Sequence, residues 1–353
     1  MFILEKRKEN NKKDYFCFMI LVTGGTGLVG SHLLYELVKD NQKIRAIYRS
    51  EEKLQAVKKV FSYFTEDVSI LFNKIEWMEA DILDVPLLTN VFQDITKVYH
   101  CAALISFDPR AYHKLRKTNI EGTANIVNLC ISNTIEKLCY VSSIATLGNN
   151  EDHSFIDEET FWNPEGENNV YGITKYGAEM EVWRGTQEGL DAVIVNPGII
   201  IGAGFWNSGS GLLFKKVHNK LRYYVTGTTG YVDVKDVVTV MLQLMQSNIT
   251  NQRFVLAAKN LSFQQVTEIA AKHLKVKAPQ KKATSLMLKI AWRADWLKSF
   301  LTGKPRSLTK QNATTALTIT NYDNQKIINA LDFKFIPIEK SIEQVAELFL
   351  KEV

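Results

Sequence analysis

Cysteine and histidine are scarce in this chain and are placed without pattern. The four cysteines (Cys17, Cys101, Cys130, Cys139) show no C-x-x-C spacing, and the six histidines are scattered without paired spacing. A disulfide framework and a metal centre are therefore not expected, and reduced, buried thiols in a cytoplasmic protein are the simplest expectation. Long apolar runs are missing as well. The start, Met-Phe-Ile-Leu-Glu-Lys-Arg-Lys, lacks the apolar core of a signal peptide, and no stretch approaches an integral membrane span. There is no internal repeat, heptad array or low-complexity tract. Charge of one sign is also modest: the net value is +5, and Lys6, Arg7, Lys8, Lys12 and Lys13 in the first eighteen residues carry part of it. The remainder is no nucleic-acid footprint. Residues 1–18 read as a dispensable extension ahead of Met19, partly disordered from Glu5 to Asp14, with Phe16, Cys17 and Phe18 able to lengthen the first strand.

What is present is a composition of 46% hydrophobic and 23% charged residues over 353 positions, enough for a full core plus an appended lobe. The most informative run is Ile20-Leu-Val-Thr-Gly24-Gly25-Thr26-Gly27-Leu-Val-Gly30. An apolar strand empties into spaced glycines and then into an amphipathic helix. Gly24, Gly27 and Gly30 satisfy G-x-x-G-x-x-G, while Gly25, Gly27 and Gly30 satisfy G-x-G-x-x-G. Such a turn needs positive φ, lets backbone approach a pyrophosphate without an intervening Cβ, and seats the helix closely on the strand. The helix N-terminus then offers unpaired N–H groups and partial positive charge to phosphates.

From residue 19 to about 196, short apolar strands (18–23, 43–48, 74–79, 97–102, 137–142, 191–196) alternate with helices (near 28–40, 51–64, 84–92, 110–132, 171–187). This rhythm predicts an α/β fold with a doubly wound parallel sheet, the Rossmann arrangement, whose ligands bind outside the carboxyl ends of the strands. A helix from Val232 to about Gln246 and a strand at Arg253–Leu256 are expected to rejoin it. Residues 19–196 plus about 231–257 thus form the dinucleotide-binding domain. Residues 197–230 plus 258–353 form a smaller, mostly helical C-terminal substrate lobe. Within that lobe, 285–301 has a broad apolar face with Lys289, Arg293 and Lys298; burial against the lobe is favoured over a membrane-surface position.

Y-x-x-x-K occurs four times, as Tyr35/Lys39, Tyr171/Lys175, Tyr231/Lys235 and Tyr322/Lys326. Position discriminates among them, because helical i,i+4 spacing alone is commonplace. Tyr171 opens the helix that follows the strand ending in Ser142-Ser143, so a hydroxyl at a strand's carboxyl end and a Tyr/Lys helix face can converge.

Together with Thr23-Gly-Gly-Thr-Gly-Leu-Val-Gly30, Ala80-Asp81-Ile82, Tyr99-His-Cys-Ala-Ala103, Asn119-Ile-Glu-Gly-Thr123, Val141-Ser-Ser-Ile-Ala-Thr-Leu-Gly148, Tyr171-Gly-Ile-Thr-Lys175, Asn196-Pro-Gly-Ile199 and Tyr231-Val-Asp-Val-Lys-Asp236, the chain resembles the extended short-chain dehydrogenase/reductases. These include the NAD-dependent epimerase/dehydratase enzymes, 3β-hydroxysteroid dehydrogenases and dihydroflavonol reductases. The resemblance implies that Tyr171 is the general acid/base and that Lys175 holds the nicotinamide ribose. It implies further that Ser143, rather than Ser142, bonds the substrate oxygen and that Asn119 anchors a proton-relay water. An ammonium near the phenol, together with the positive nicotinamide, is expected to favour the phenolate and bring it toward working pH. By the same resemblance the dinucleotide lies along Gly24, Thr26, Gly27, Leu28 and Gly30, then Arg49, Asp81, Ile82, Ala102, Ala103, Lys175 and Pro197.

Ile47-Tyr48-Arg49-Ser50 ends the second strand where an NAD enzyme offers a carboxylate, so Arg49 favours NADP, with NAD as the alternative. Asp81 reads either as an acceptor for the adenine amino group or as an N-cap. His100 reads as a packing residue or a phosphate-side contact, Asp233 and Asp236 as organisers of the return to the sheet, and Asp157, Glu158 and Glu159 as a solvated loop. The mouth is expected from Ser106, Phe107, the loop 144–170 and the segment from Ile199 to Gly211 with Phe205 and Trp206. Aromatics without an arginine cluster, and Ala145 where many sugar epimerases carry a hydroxyl, favour a small, largely apolar alcohol or ketone. A nucleotide-sugar epimerase or dehydratase, with Lys215, Lys216, Lys220 and Arg222 on a diphosphate, and a non-catalytic dinucleotide-binding redox sensor are the competing readings. A homodimer through the helices near 110–132 and 171–187 is expected by resemblance.

Overall fold

The computed structural model describes residues 19–148 and 155–353, so the expectations for residues 1–18, Cys17 included, lie outside the described residues. Its strands are β1 (Met19–Thr23), β2 (Lys43–Tyr48), β3 (Ile75–Glu79), β4 (Ile95–His100), β5 (Lys137–Val141), β6 (Ala192–Pro197), β7 (Ile199–Ile201), β8 (Tyr223–Tyr224), β9 (Thr228–Asp233), β10 (Gln252–Leu256), β11 (Lys259–Ser262) and β12 (Lys281–Lys282). The helices are α1 (Leu28–Lys39), α2 (Leu54–Phe61), α3 (Val68–Phe72), α4 (Val85–Val91), α5 (Tyr112–Leu115), α6 (Gly122–Ser132), α7 (Val170–Gln187), α8 (Gly211–His218), α9 (Val234–Gln246), α10 (Phe263–His273), α11 (Ser285–Thr302), α12 (Lys310–Thr315), α13 (Gln325–Leu331) and α14 (Ile338–Leu350).

Seven strands pair in parallel in the order β10-β6-β5-β4-β1-β2-β3. The chain leaves β1 for β2 and β3 on one side, then crosses to β4 on the other. A topological switch point therefore opens at the carboxyl ends of β1 and β4, where doubly wound sheets bind ligands. Alternation of side chains builds the two helix-covered faces. Ile20 and Val22 join one buried cluster with Leu34 of α1 and Met241 of α9, and Leu21 joins the other with Ile126 of α6 and Val182 of α7.

Beyond β6 a third buried cluster forms around α8, α10 and α14 and a three-stranded sheet ordered β11-β9-β7. Helix α9 begins at Val234 rather than at Val232, because Tyr231 and Val232 extend β9 and Asp233 caps the helix through the Lys235 N–H at 2.7 Å. Asp236 accepts the Ile336 N–H at 2.9 Å, tying the C-terminal segment to this return. Glu158 overturns the solvated-loop expectation. It is buried, and its carboxylate accepts the Val255 N–H at 2.6 Å, satisfying a donor on edge strand β10.

The segment 285–301 also departs from expectation. It is helical, as α11, but Leu286, Ile290, Leu297, Phe300 and Leu301 are exposed, and only Ser299 of the helix is fully buried. Its contacts with the body run along a narrow stripe of Leu288, Trp292, Asp295 and Ser299, too narrow to bury the broad apolar face.

Candidate active site

The parallel sheet brings the expected residues to one edge. Gly24 follows β1, Arg49 follows β2, Asp81 and Ile82 follow β3, Ala102 and Ala103 follow β4, Ser142 and Ser143 follow β5, and Pro197 ends β6. At the first turn Gly24 takes φ of +71°, and a Cβ there would sit 2.5 Å from the Ala102 amide nitrogen. A Cβ on Gly30 would meet the Gly24 carbonyl oxygen at 2.2 Å, so α1 is seated directly on the turn. At Gly27 the same test finds only that oxygen, at 3.4 Å, leaving backbone that a phosphate can approach. Helix α1 has no side-chain N-cap and no acid in its first turn. Its first N–H groups, with Thr26 and Leu28 beside them, therefore fit an anionic group, and the cradle suits a dinucleotide pyrophosphate.

Arg49 and Asp81 pair with each other, Nη1 to Oδ2 at 3.7 Å, with both side chains well exposed. Asp81 also accepts the Leu83 N–H at 3.0 Å, while the N-cap of α4 is Asp84, through the Leu87 N–H at 3.1 Å. The N-cap reading of Asp81 is thus displaced by three residues. Ile82 is buried beneath Gly122.

On the other side of the switch point, Ser142 and Ser143 turn opposite ways. Ser142 donates to Glu179 at 2.5 Å inside the core, whereas the Ser143 hydroxyl accepts the Ala145 N–H at 3.2 Å and stands close enough to the Tyr171 phenol to favour its ionisation. Asn169 caps α7 by accepting the Gly172 N–H at 2.8 Å, which fixes the turn that carries Tyr171. The Phe107 ring stands edge-on to Tyr171, 5.6 Å between centroids. Trp206 does not line this mouth. It packs on Phe349 and donates its indole N–H to Glu352 at 3.0 Å, in the core of the smaller lobe.

Lys175 is fully buried one turn along α7, and its Nζ donates to the Tyr140 hydroxyl at 2.5 Å and to the Val141 carbonyl at 2.8 Å. Burial holds its amine down at about 7, with Glu179 opposing part of that fall. Burial likewise pushes the Tyr171 phenol up to about 12, partly offset by Ser143. Lys175 is turned inward, and desolvation dominates at both groups.

Asn119 lies where the helix expected over 110–132 winds as a π-helix, Arg116–Glu121. Its Oδ1 accepts the Leu104 N–H at 2.7 Å and its Nδ2 donates to the Leu104 carbonyl at 3.0 Å and to Thr174 at 3.1 Å. The side chain thus positions the loop after β4 against α7. π-Helical turns of this kind recur at functional sites.

Tyr140, Thr123 and His100 were not singled out from the sequence as parts of the site. His100 is buried and stacked on Tyr140, with Nδ1 2.6 Å from the Thr23 hydroxyl and Nε2 3.0 Å from that of Thr123. Thr123 in turn stands near the Tyr140 hydroxyl that receives Lys175 and favours its ionisation. Burial depresses the imidazole to about 3, so it is a neutral strut behind the site. The available signal is a phenol in an otherwise apolar strand, two residues from Ser142 and so on its face of β5.

A family model described as the NAD dependent epimerase/dehydratase family matches residues 20–257. The chain is 26% identical over 343 residues to the "Putative dihydroflavonol 4-reductase" of Synechocystis sp., covering 94% of each chain. It is 23% identical over 264 residues to Cinnamoyl-CoA reductase 2 of Medicago truncatula, covering 72% of this chain and 76% of that one. Among solved structures it is similar in fold to the UDP-glucuronic acid 4-epimerase of Bacillus cereus in complex with UDP-glucuronic acid and NAD. There the TM-score is 0.74 at 17% identity, over 95% of this chain and all of the other. The switch-point site and the family match agree: the chain belongs to the NAD dependent epimerase/dehydratase family and is an NAD(P)-dependent enzyme of the extended short-chain dehydrogenase/reductase type.

Proposed function

We propose that this enzyme reduces a ketone of a small, largely apolar substrate to a secondary alcohol, with NADPH as the preferred dinucleotide. The observation that carries this reading is the convergence of the Tyr171 phenol and the Ser143 hydroxyl at the switch point, beside the exposed Phe107 ring. Two donors converging on one carbonyl oxygen are what a reductive site needs. Bound along the glycine turn, a nicotinamide dinucleotide supplies hydride chemistry. Ser143 donates a hydrogen bond to the carbonyl oxygen, and Tyr171 gives its proton to that oxygen as negative charge develops there. Lys175, through Tyr140 and Val141, fixes the helix face that carries the phenol, and its amine is the group nearest in sequence to hold a ribose.

Support for NADPH comes from Arg49, which stands where a carboxylate would otherwise accept a ribose 2′-hydroxyl and which is only loosely paired with Asp81. Support for an apolar substrate comes from the rim. Phe107 is exposed beside Tyr171, Ile105 is exposed two residues before it, and the nearby cation Arg110 is already taken by Asp108 at 2.8 Å. The curated relatives named above are reductases. The reading includes a cytoplasmic location and a homodimer through α6 and α7, the latter checked by sedimentation. Absorbance-monitored oxidation of NADPH and NADH across a panel of aryl and alicyclic ketones tests the activity, with UDP-sugars as the contrasting arm. The expected result is ketone-dependent oxidation, faster with NADPH. Turnover of a UDP-sugar with no ketone reduction would reject it.

A further inference from the structure

Helix α11 is the most exposed apolar element among the described residues. Leu286, Ile290, Leu297 and Leu301 recur at helical spacing along its outward face, each more than half exposed. The stacked pair Trp296 and Phe300 flanks that ridge, also more than half exposed. Lys289 and Arg293 border the ridge on one side and Lys298 on the other, and Arg293 lies over the Trp292 ring at 4.5 Å. The single acid of the helix, Asp295, faces inward and accepts the Ser307 and Leu308 N–H groups, each at 3.1 Å.

The surrounding charge is lopsided. From Lys275 to Lys310 the chain carries ten lysines and arginines against that one acid, whereas the entire chain is only +5. The rest of the protein is therefore net negative, and the positive field is concentrated around the apolar ridge. Two copies of this face would bring like charges together, which disfavours self-association. No helix among the described residues is long and apolar enough to cross a membrane. An apolar ridge bordered by cations whose stems reach back toward water, with aromatic rings at the flank, is the pattern of a helix lying in an anionic bilayer surface.

We propose that α11 docks the enzyme on anionic lipid, with its ridge in the headgroup and acyl boundary and its cations on lipid phosphates. The turn after the helix is tied to the active-site mouth: Arg110 donates to the Lys304 carbonyl at 2.6 Å, and Asp108, next to Phe107, accepts the Arg306 N–H at 2.9 Å. The mouth therefore lies close to the docked surface. Delivery of an apolar substrate from that surface rests on the reductase reading above, while the docking itself does not.

The test is sedimentation of the full chain with vesicles of phosphatidylcholine alone and of equal parts phosphatidylcholine and phosphatidylglycerol, a readout independent of turnover. The expected result is binding to the phosphatidylglycerol vesicles only, weakened by salt. Combined Lys289→Glu, Arg293→Glu and Lys298→Glu should lower it at least ~100-fold, and Ile290→Ser with Leu297→Ser should abolish it. Both variants are expected to keep the wild-type melting temperature because every altered side chain is exposed. A protein that stays in the supernatant with both vesicles, or that instead forms a dimer broken by Ile290→Ser, would overturn the proposal.

Discussion

Gly30 illustrates how tightly individual residues hold the cradle. Its missing Cβ leaves room for the Gly24 carbonyl, which is backbone and cannot swing away. Gly30→Ala is therefore expected to abolish the rise in melting temperature that NADPH gives the wild type, a rise that mass action makes readable by thermal shift. An unaltered NADPH response in Gly30→Ala would refute that packing role. Lys175 makes a second, opposite kind of statement. Folding lowers its amine from the ordinary 10.5 to about 7. Between those values the unfolded chain holds a proton that the folded chain lacks, so the contribution of this residue to stability rises with pH across that window. Urea unfolding of the wild type and of Lys175→Met across the same window should show the stability difference between them moving in favour of the wild type as pH rises; a difference that does not change with pH would contradict it. Glycines, Tyr171 and Lys175 were legible because their meaning is local, carried by spacing along one turn or one helix. Thr23, His100, Thr123 and Tyr140 were not, since their buried chain of contacts draws one residue from each of four separate elements.

Among the elements, α7 does the most joining. Its Glu179 accepts from Ser142 after β5 at 2.5 Å, from Thr146 at 2.7 Å, from Asn196 of β6 at 2.9 Å and from Arg253 of β10 at 3.0 Å. One carboxylate thus fixes the helix bearing Tyr171 to three strand ends. Glu179→Leu leaves a nearly buried guanidinium and three donors without their acceptor, at a cost of about 3–5 kcal/mol. Chemical denaturation should show that loss and a partial recovery in Glu179→Gln; a loss under about 1 kcal/mol would remove the clamp from this account. Strand and helix periodicity predicted the elements of the parallel sheet closely, because alternation and the 3.6-residue repeat report burial directly. It missed Glu158 and α11 for one physical reason. Periodicity shows which face is apolar, not what covers it, so a buried acid inside an acidic run and an apolar face left in the open both escape it.

For the molecule as a whole, the doubly wound order was readable from the β/α rhythm, and the switch point between β1 and β4 follows from it. What the rhythm does not carry is the electrostatic balance at that point. The packed site desolvates both Tyr171 and Lys175 and turns the amine toward Tyr140. The proposed reduction hangs on Tyr171 passing its proton to the substrate oxygen. The comparison that decides it is ketone-dependent NADPH oxidation by the wild type and by Tyr171→Phe, with NADPH affinity followed by fluorescence. Turnover in Tyr171→Phe is expected to fall by roughly 10²- to 10⁴-fold at unchanged NADPH affinity; undiminished turnover would contradict the proposed proton transfer.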